Sequence, residues 1–228
     1  MNDEESEAFR LILGQSIAHQ RQLANGRIPD LSVVVTRSKL LRVMLYELGS
    51  RAVWAIQTGE AALEAAERED PSTFWNNVDL MLVHGSSASS FLWPSSRRKR
   101  ELREAFPRRG EDLRLMMGMD EDGFNTLRSI RNAMVHIDER LEEFALANPD
   151  MHMGMRSMNG RTEGSADLFA WDPKTQSIIF LNEEVPVPEL LRELREVQKR
   201  SMDAFFWMIN IEDMDDSTPV RSEDELGN

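Results

Sequence analysis

Apolar residues recur every three or four positions over several long stretches of this chain, and no other feature of the sequence constrains its fold as strongly. Between Arg37 and about Arg68 these residues are Leu41, Met44, Leu45, Leu48, Ala52 and Ile56. A helix completes a turn in about 3.6 residues, so this spacing places them on one side of an α-helix. A second run with the same pattern follows Asp70 and ends at Trp93. The pattern therefore predicts a mostly α-helical chain.

Further helical segments are predicted on either side of these two. An amphipathic helix is expected from about Glu5 to Ala24, followed by a linker, GRIPDLSVVVT, that reaches Thr36. Asn25-Gly26 is a common helix-ending pair. The segment between Arg97 and Arg114 is expected to hold two short helical pieces, broken at Pro107 and Gly110.

The second half of the chain combines helices with one β-hairpin. A long helix is expected from about Asp122 to Ala147. β-branched and aromatic residues flank a turn at Asp172, which predicts a hairpin at about 167–182. A last helix follows Pro188 and keeps apolar residues at helical spacing.

These elements are expected to form one domain with two appendages. The 228 residues, 41% of them hydrophobic, are enough for one substantial core. We assign residues 31–210 to this domain and residues 1–30 to an N-terminal helix and linker. Residues 211–228 are expected to be an acidic disordered tail, because seven acids lie between Glu212 and Glu225 against the single base Arg221.

Composition narrows the possible functions. The chain has no cysteine, which excludes disulfides, thiolate metal sites and a cysteine nucleophile. It begins with acidic residues, and no apolar run approaches the roughly 18 residues of a membrane span, so we expect a cytoplasmic protein with no membrane contact. A net charge of −13 argues against a general nucleic-acid coat.

One basic segment departs from this acidity. Between Arg97 and Arg114 there are eight basic residues against four acids, so this segment could hold a phosphate backbone. Arg97, Arg98 and Arg100 are the candidate RNA contacts. The alternative is an ordinary solvated basic loop.

The single histidine of the second helical run could serve either structure or metal binding. His84 stands beside the small residues GSSASS, which allow a neighbouring backbone to approach. We interpret it as a hydrogen-bonded structural histidine, because no second metal ligand stands at helical spacing.

A methionine-rich loop at 151–158 could offer soft ligands to copper(I), through Met151, His152, Met153, Met155 and Met158. Flexible methionines in an exposed loop are the more common explanation. No metal site or cofactor is predicted.

The long helix from Asp122 carries an unusual polar group. Its apolar stripe consists of Phe124, Leu127, Ile130, Met134, Ile137, Leu141 and Phe144. At about 100° per residue, Asn132 and His136 fall on nearly the opposite side. Arg128 lies one turn earlier on that side, and Arg131 lies at the flank with a side chain long enough to reach round.

This group has the parts needed for metal-independent RNA cleavage. An arginine offers a permanent cation with a planar fork suited to phosphate, and an asparagine can orient a partner. A histidine can move protons near neutral pH. On spacing alone, a solvated helix face explains the same residues.

The motif Arg131-Asn132-Ala133-Met134-Val135-His136 resembles the R-N-x-x-x-H signature of the HEPN superfamily. FWNNVDLMLVHGSSASSFLWP before it, and IRNAMVHIDERLEEF around it, are similar to a group of bacterial HEPN-like proteins. The resemblance covers roughly residues 37–147 and is looser to about 210. It implies a HEPN-like four-helix bundle, here with a small β-hairpin and a C-terminal helix.

The resemblance also implies a function. Many HEPN proteins are RNA endonucleases of toxin–antitoxin, phage-defence and RNA-processing systems, and they form homodimers in which the motif helices face each other across a cleft. On that basis Arg131 would bind the scissile phosphate, His136 would assist proton transfer, and Asn132 would position them. Some HEPN domains are instead non-catalytic modules that bind nucleotide, RNA or protein. A helix face used only for assembly is the third possibility.

Overall fold

The computed structural model describes residues 31–95, 99–120, 123–135, 137–147, 156–160, 169–180 and 183–216. Within these ranges the chain is mostly helical, with a small sheet and a long C-terminal helix, so the predicted fold class is confirmed. The helix predicted from Glu5 to Ala24 lies outside them. None of the helices within them is long and apolar enough to cross a membrane.

Helices α1 (Leu31–Glu67) and α2 (Pro71–Leu92) form a helical hairpin at the centre of the fold. The side chain of Asp70 accepts a hydrogen bond from the backbone N–H of Thr73 at 3.1 Å and caps α2. Pro71, which has no N–H to satisfy, stands at the first helical position. The predicted start of α2 is therefore confirmed.

Helix α1 begins earlier than the sequence pattern indicated. We expected residues 31–36 to belong to a linker and the helix to begin at Arg37; the helix instead begins at Leu31. The residues LSVVVT are rich in β-branched side chains, which lower helix propensity by only a few tenths of a kcal/mol each, roughly. Such a run does not stop a helix that continues into a well-packed segment.

The basic segment holds helices α3 (Arg100–Ala105) and α4 (Arg109–Met116), as two short pieces. The break at Pro107 is confirmed, but the break predicted at Gly110 is wrong, because Gly110 lies inside the first turn of α4. Glycine is needed there for space. A Cβ at position 110 would lie 2.4 Å from the carbonyl oxygen of Leu92 at the end of α2.

The segment predicted as one long helix is described as α5 (Asn125–Val135) and α6 (Ile137–Ala147). His136, between them in sequence, lies outside the described residues. The predicted start at Asp122 also lies outside them. The structure places the first helical residue at Asn125.

A sheet in the order β1-β2-β3-β4 follows α6. The predicted hairpin is confirmed as β2 (Phe169–Asp172) and β3 (Ser177–Phe180), which pair antiparallel. Strands β1 (Arg156–Ser157), parallel to β2, and β4 (Glu183–Pro186), antiparallel to β3, were not predicted. Strand β4 leads directly into the last helix and ties that helix to the sheet.

The last helix, α7 (Val187–Asp216), packs along α1. Gly59 of α1 permits close contact, since a Cβ there would lie 2.6 Å from a methyl carbon of Leu191. The helix continues to Asp216, whereas the acidic tail was expected to begin at residue 211. Residues 217–228 lie outside the described residues.

The core is formed where α1, α2, α4, α5, α7 and the sheet meet. Its large apolar side chains with less than 2% exposure are Leu45, Leu48, Phe74, Met81, Leu92, Leu113, Leu127, Ile130, Ile178, Leu190 and Leu194. Burial of a Leu, Ile, Phe or Met side chain contributes about 1.5–3 kcal/mol. This packing therefore provides the adhesion between the helices, and it fixes which side of α5 faces outward.

Candidate functional site

The inner side of α5 is the apolar stripe that the sequence predicted. Leu127 and Ile130 are 0% and 1% exposed. Gly85 of α2 makes room for Ile130, because a Cβ at position 85 would lie 2.8 Å from the Ile130 Cδ1 atom. The small residues HGSSASS were expected to let a neighbouring backbone approach, and at Gly85 the group that approaches is the Ile130 side chain. The stripe orients α5, so that its other side is available to polar residues.

The outer side of α5 carries the predicted polar group. Arg128 and Asn132 are exposed, and Arg131 is half-buried at the flank. The Arg131 side chain reaches round the helix, and its Nη1 donates a hydrogen bond to Asn132 Oδ1 at 2.8 Å. His136, the third residue of the motif, lies outside the described residues. The structure therefore brings together Arg131 and Asn132, and the position of His136 stays a prediction.

Arg131 has an unsatisfied hydrogen-bond donor. Its Nε is buried and donates to no acceptor in the part of the chain that the structure describes. Burial lowers the pKa of Arg131, and the nearby charge of Arg128 lowers it further. A guanidinium nevertheless stays protonated in proteins. A buried donor without a partner costs about 1–3 kcal/mol.

The N-terminus of α5 is held by a buried carboxylate from α7. Glu193, 2% exposed, accepts hydrogen bonds from the backbone N–H of Thr126 at 3.2 Å and of Leu127 at 2.7 Å. Burial raises the pKa of Glu193, while these two donors act in the opposite direction. The first N–H groups of a helix have no partner within the helix, and a negative charge there also complements the helix dipole. Glu193 thus supplies a long-range N-cap for the helix that carries the motif.

Sequence reasoning missed Glu193, although one signal could have found it. Leu190, Leu194 and Val197 form the apolar side of α7, and Glu193 lies within that stripe instead of opposite it. A charged residue on the buried side of a helix needs a partner with which to form hydrogen bonds. The pattern could therefore have indicated a polar contact, but not which backbone groups provide it.

A second carboxylate, Glu183 of β4, joins α5 to α6. One oxygen accepts from Ser129 Oγ at 2.8 Å, and the other accepts from Arg140 Nη1 at 2.5 Å. Burial opposes ionisation of this group, but the donors from Arg140 and Ser129 lower the pKa of Glu183 overall. Glu183 is therefore ionised at neutral pH. Arg140, four residues after His136 in sequence, forms an ion pair with Glu183.

Of the three candidate RNA contacts in the basic segment, the structure describes Arg100. Arg97 and Arg98 lie outside the described residues. The exposed Arg100 donates from Nε to Glu104 Oε1 at 2.6 Å, one helical turn away. Exposed pairs of this kind contribute little stability, but the carboxylate offsets the charge that Arg100 would present to a phosphate.

Two arginines later in the same segment have a structural role. Arg109 Nη2 donates to the carbonyl oxygen of Ser90 at 3.0 Å, and Arg114 Nη1 donates to that of Leu92 at 2.5 Å. The Arg114 guanidinium also lies 5.8 Å from the centre of the Trp93 ring. Carbonyl groups at a helix C-terminus lack partners within the helix and favour cations. These arginines therefore cap α2, which the charge count alone could not distinguish from a phosphate-binding role.

The His84 prediction is corrected in part. The His84 Nδ1 atom is buried and has no hydrogen-bond partner within the described part of the chain. The ring instead stacks on Trp54, with centroids 5.9 Å apart. Burial lowers the pKa of His84, and the charge of Arg51 adds to this effect. A neutral, stacked imidazole agrees with a packing role, although not with the hydrogen bond that we expected at this nitrogen.

The methionine-rich loop is described only from position 156. Met158 packs against the hydrophobic core. Met151, His152, Met153 and Met155, the other residues considered as copper(I) ligands, lie outside the described residues. Among the described residues no three His, Asp or Glu side chains are grouped so that they could hold a metal ion.

Comparison with known proteins does not assign the chain to a family. No protein-family model matches the sequence, and neither curated proteins nor solved structures give a match. The similarity to HEPN proteins thus depends on the motif from Arg131 to His136 and on its sequence context.

Replacing Glu193 by alanine tests the long-range cap of α5. We expect Glu193→Ala to lower the free energy of unfolding by about 1–3 kcal/mol, because the Leu127 N–H stays buried without an acceptor. The substitution also removes the desolvation cost of the buried carboxylate, which reduces the loss of stability. Urea unfolding measures this difference.

The matched control is Glu196→Ala, one turn further along α7. Glu196 pairs with Arg200 near the surface, with 39% of its side chain exposed, so we expect a change of about 0.5 kcal/mol or less. Equal stability losses in the two variants would show that Glu193 does not cap α5.

Proposed function

We propose that the chain is a HEPN-type, metal-independent ribonuclease whose catalytic residues are Arg131, Asn132 and His136. Arg131 binds and polarises the scissile phosphate, Asn132 positions the reacting groups, and His136 transfers a proton. Arg128 adds a second cation on the same exposed side of α5. This assignment follows the R-N-x-x-x-H motif and what its resemblance implies.

The observation that carries the proposal is the state of Arg131. Its Nε is buried without an acceptor in the described part of the chain, and its Nη1 contacts the exposed Asn132. No carboxylate of the described residues forms an ion pair with it. The contacts of Arg109 and Arg114 are with carbonyl groups at the end of α2, whereas the contact of Arg131 is with an exposed residue of its own motif. The Nη1 side of the guanidinium, which contacts an exposed residue, is the side that an incoming phosphate can meet.

The reaction needs no metal ion or cofactor. The ribose 2′-oxygen attacks the adjacent phosphorus, and the bond from phosphorus to the 5′-oxygen breaks. A base takes the proton of the 2′-hydroxyl, and an acid gives a proton to the departing 5′-oxygen. The products are a 2′,3′-cyclic phosphate and a 5′-hydroxyl. A guanidinium stabilises the negative charge that develops on the phosphoryl oxygens, and an imidazole serves either proton transfer.

The proposal extends to assembly and context. In HEPN nucleases the motif helices of two copies face each other, so we propose a homodimer in which two copies of the exposed side of α5 form the cleft. A cytoplasmic location and a cognate antitoxin or defence partner are part of the same proposal. The exposure of Arg128 and Asn132 supports it, because both side chains are accessible to RNA or to a second copy.

A non-catalytic module that binds nucleotide, RNA or protein is the second candidate. Two observations favour it: the exposed Arg100 is paired with Glu104, and Arg109 and Arg114 cap α2. These contacts leave fewer cations to guide a long RNA to α5. Such a module would bind through Arg131 and would tolerate the loss of His136.

Cleavage of a mixed, end-labelled RNA pool in EDTA tests the proposal. Wild-type protein should cut RNA and leave 2′,3′-cyclic phosphate ends. Arg131→Ala should lower the rate about 10²–10³-fold, as loss of an electrostatic stabiliser does. His136→Ala should lower it about 10²–10⁴-fold, the usual range for loss of a general acid or base.

The matched control is Arg195→Ala. Arg195 is an exposed arginine of α7, paired with Glu60, and its loss should leave cleavage unchanged. Variants are compared at equal folded fraction and oligomeric state. Cutting that persists in both motif variants would contradict the assignment. A wild-type protein that binds the pool but does not cut it would favour the binding module.

The salt dependence of RNA binding tests the basic segment. Replacing Arg97 and Arg98 by glutamine should reduce the slope of log affinity against log salt by about 1.4, since each phosphate contact on a single strand contributes about 0.7. Adding Arg100→Gln should change the slope little further, because Glu104 already offsets that charge. Fluorescence anisotropy at several salt concentrations measures the slopes. An unchanged slope in the double variant would remove the segment from the RNA-binding surface.

A further inference from the structure

Glu183 bridges the two helices on either side of position 136. Its carboxylate accepts from Ser129 of α5 at 2.8 Å and from Arg140 of α6 at 2.5 Å. Ser129 stands two residues before Arg131, and Arg140 stands four residues after His136. The bridge therefore links the segment that carries Arg131 and Asn132 to the helix that begins directly after the motif.

Glu183 lies on β4, a strand that is held both by its pairing with β3 and by its connection to α7. Glu183 pairs with Phe180 in the antiparallel ladder between β4 and β3. Strand β4 leads at Val187 into α7, the helix that caps α5 through Glu193. Strand β4 and helix α7 are continuous, so one segment of the chain carries both the carboxylate that joins α5 to α6 and the carboxylate that caps α5.

Apolar contacts already hold α5, α6 and β3 together. Ala133 of α5, Phe144 of α6 and Phe180 of β3 form a small buried cluster. Apolar burial is not directional, so it permits small rotations of α6 against α5. Hydrogen bonds to an ionised carboxylate are directional and about twice as strong as neutral ones. The bridge therefore contributes orientation beyond the adhesion of the cluster.

We infer that Glu183 is a positioning residue: it fixes the orientation of α6 relative to the Arg131–Asn132 pair. This inference rests on the proposed ribonuclease function. A misplacement of reacting groups by about 1 Å can cost about 10² in rate. Loss of the bridge is therefore expected to affect the chemical step more than the binding of RNA.

Three variants test this inference in the full-length protein. Glu183→Ala removes both acceptors, and Glu183→Gln keeps one amide oxygen that can still accept from Ser129 or Arg140. Glu184→Gln is the matched control, because Glu184 is the next residue of β4 and is exposed. All are measured well below the unfolding temperature, and rates are expressed per folded protein.

We expect Glu183→Ala to lower kcat about 10–100-fold with KM changed less than about threefold. Glu183→Gln should recover part of kcat, and Glu184→Gln should behave as wild type. A Glu183→Ala variant with wild-type kcat, or with losses that only follow its folded fraction, would overturn the inference. If Glu183→Ala does not fold, Ser129→Ala and Arg140→Gln each remove one contact, and wild-type kcat in both would overturn it.

A second measurement separates this inference from the proposed function. Hydrogen exchange of the α6 amides, residues 137–147, requires no RNA. We expect faster exchange in Glu183→Ala than in Glu184→Gln. Unchanged exchange would exclude the bridge even in an active ribonuclease. If the α6 amides exchange faster in Glu183→Ala but the wild-type protein never cuts RNA, the bridge is retained and the proposed function is rejected. A role of Glu183 in positioning groups for catalysis is then rejected as well.

Discussion

The carboxylate of Glu193 against the N-terminus of α5 fixes how the last helix docks on the helix that carries the motif. It is buried, it accepts two backbone N–H groups, and it comes from a helix 66 residues further along the chain. A buried charge of this kind is unfavourable unless donors surround it. The last helix must therefore dock in one position, with Leu127 and Ile130 turned inward. The outward position of Asn132 follows from the same docking.

Charged residues in this protein have two different uses. Arg140 forms a satisfied contact with Glu183, and Arg109 and Arg114 contact the C-terminus of α2. Arg131 differs from them in its place, because it lies in the motif and its Nη1 donates to the exposed Asn132. This contrast separates the cation proposed to meet a phosphate from those that hold the helices together.

Periodicity predicted what depends on burial, since core positions of a helix must recur with its turn. The inner side of α5 is an example. Periodicity could not reveal contacts between distant segments. Glu183 and Glu193 reach partners 54 and 66 residues away, and neither partner leaves a local signal. Gly110 shows the same limit: its sequence context indicates a helix break, whereas the close approach of another helix explains it.

The most direct test of the account is whether RNA contacts Arg131. The Nε–H resonance of Arg131, assigned with an Arg131→Lys variant, can be followed by NMR as 2′-O-methyl RNA, which cannot be cleaved, is added. If Arg131 holds the phosphate as proposed, this resonance shifts and saturates together with RNA binding measured by anisotropy, while that of Arg195 stays in place. RNA that binds without moving the Arg131 resonance would contradict the account.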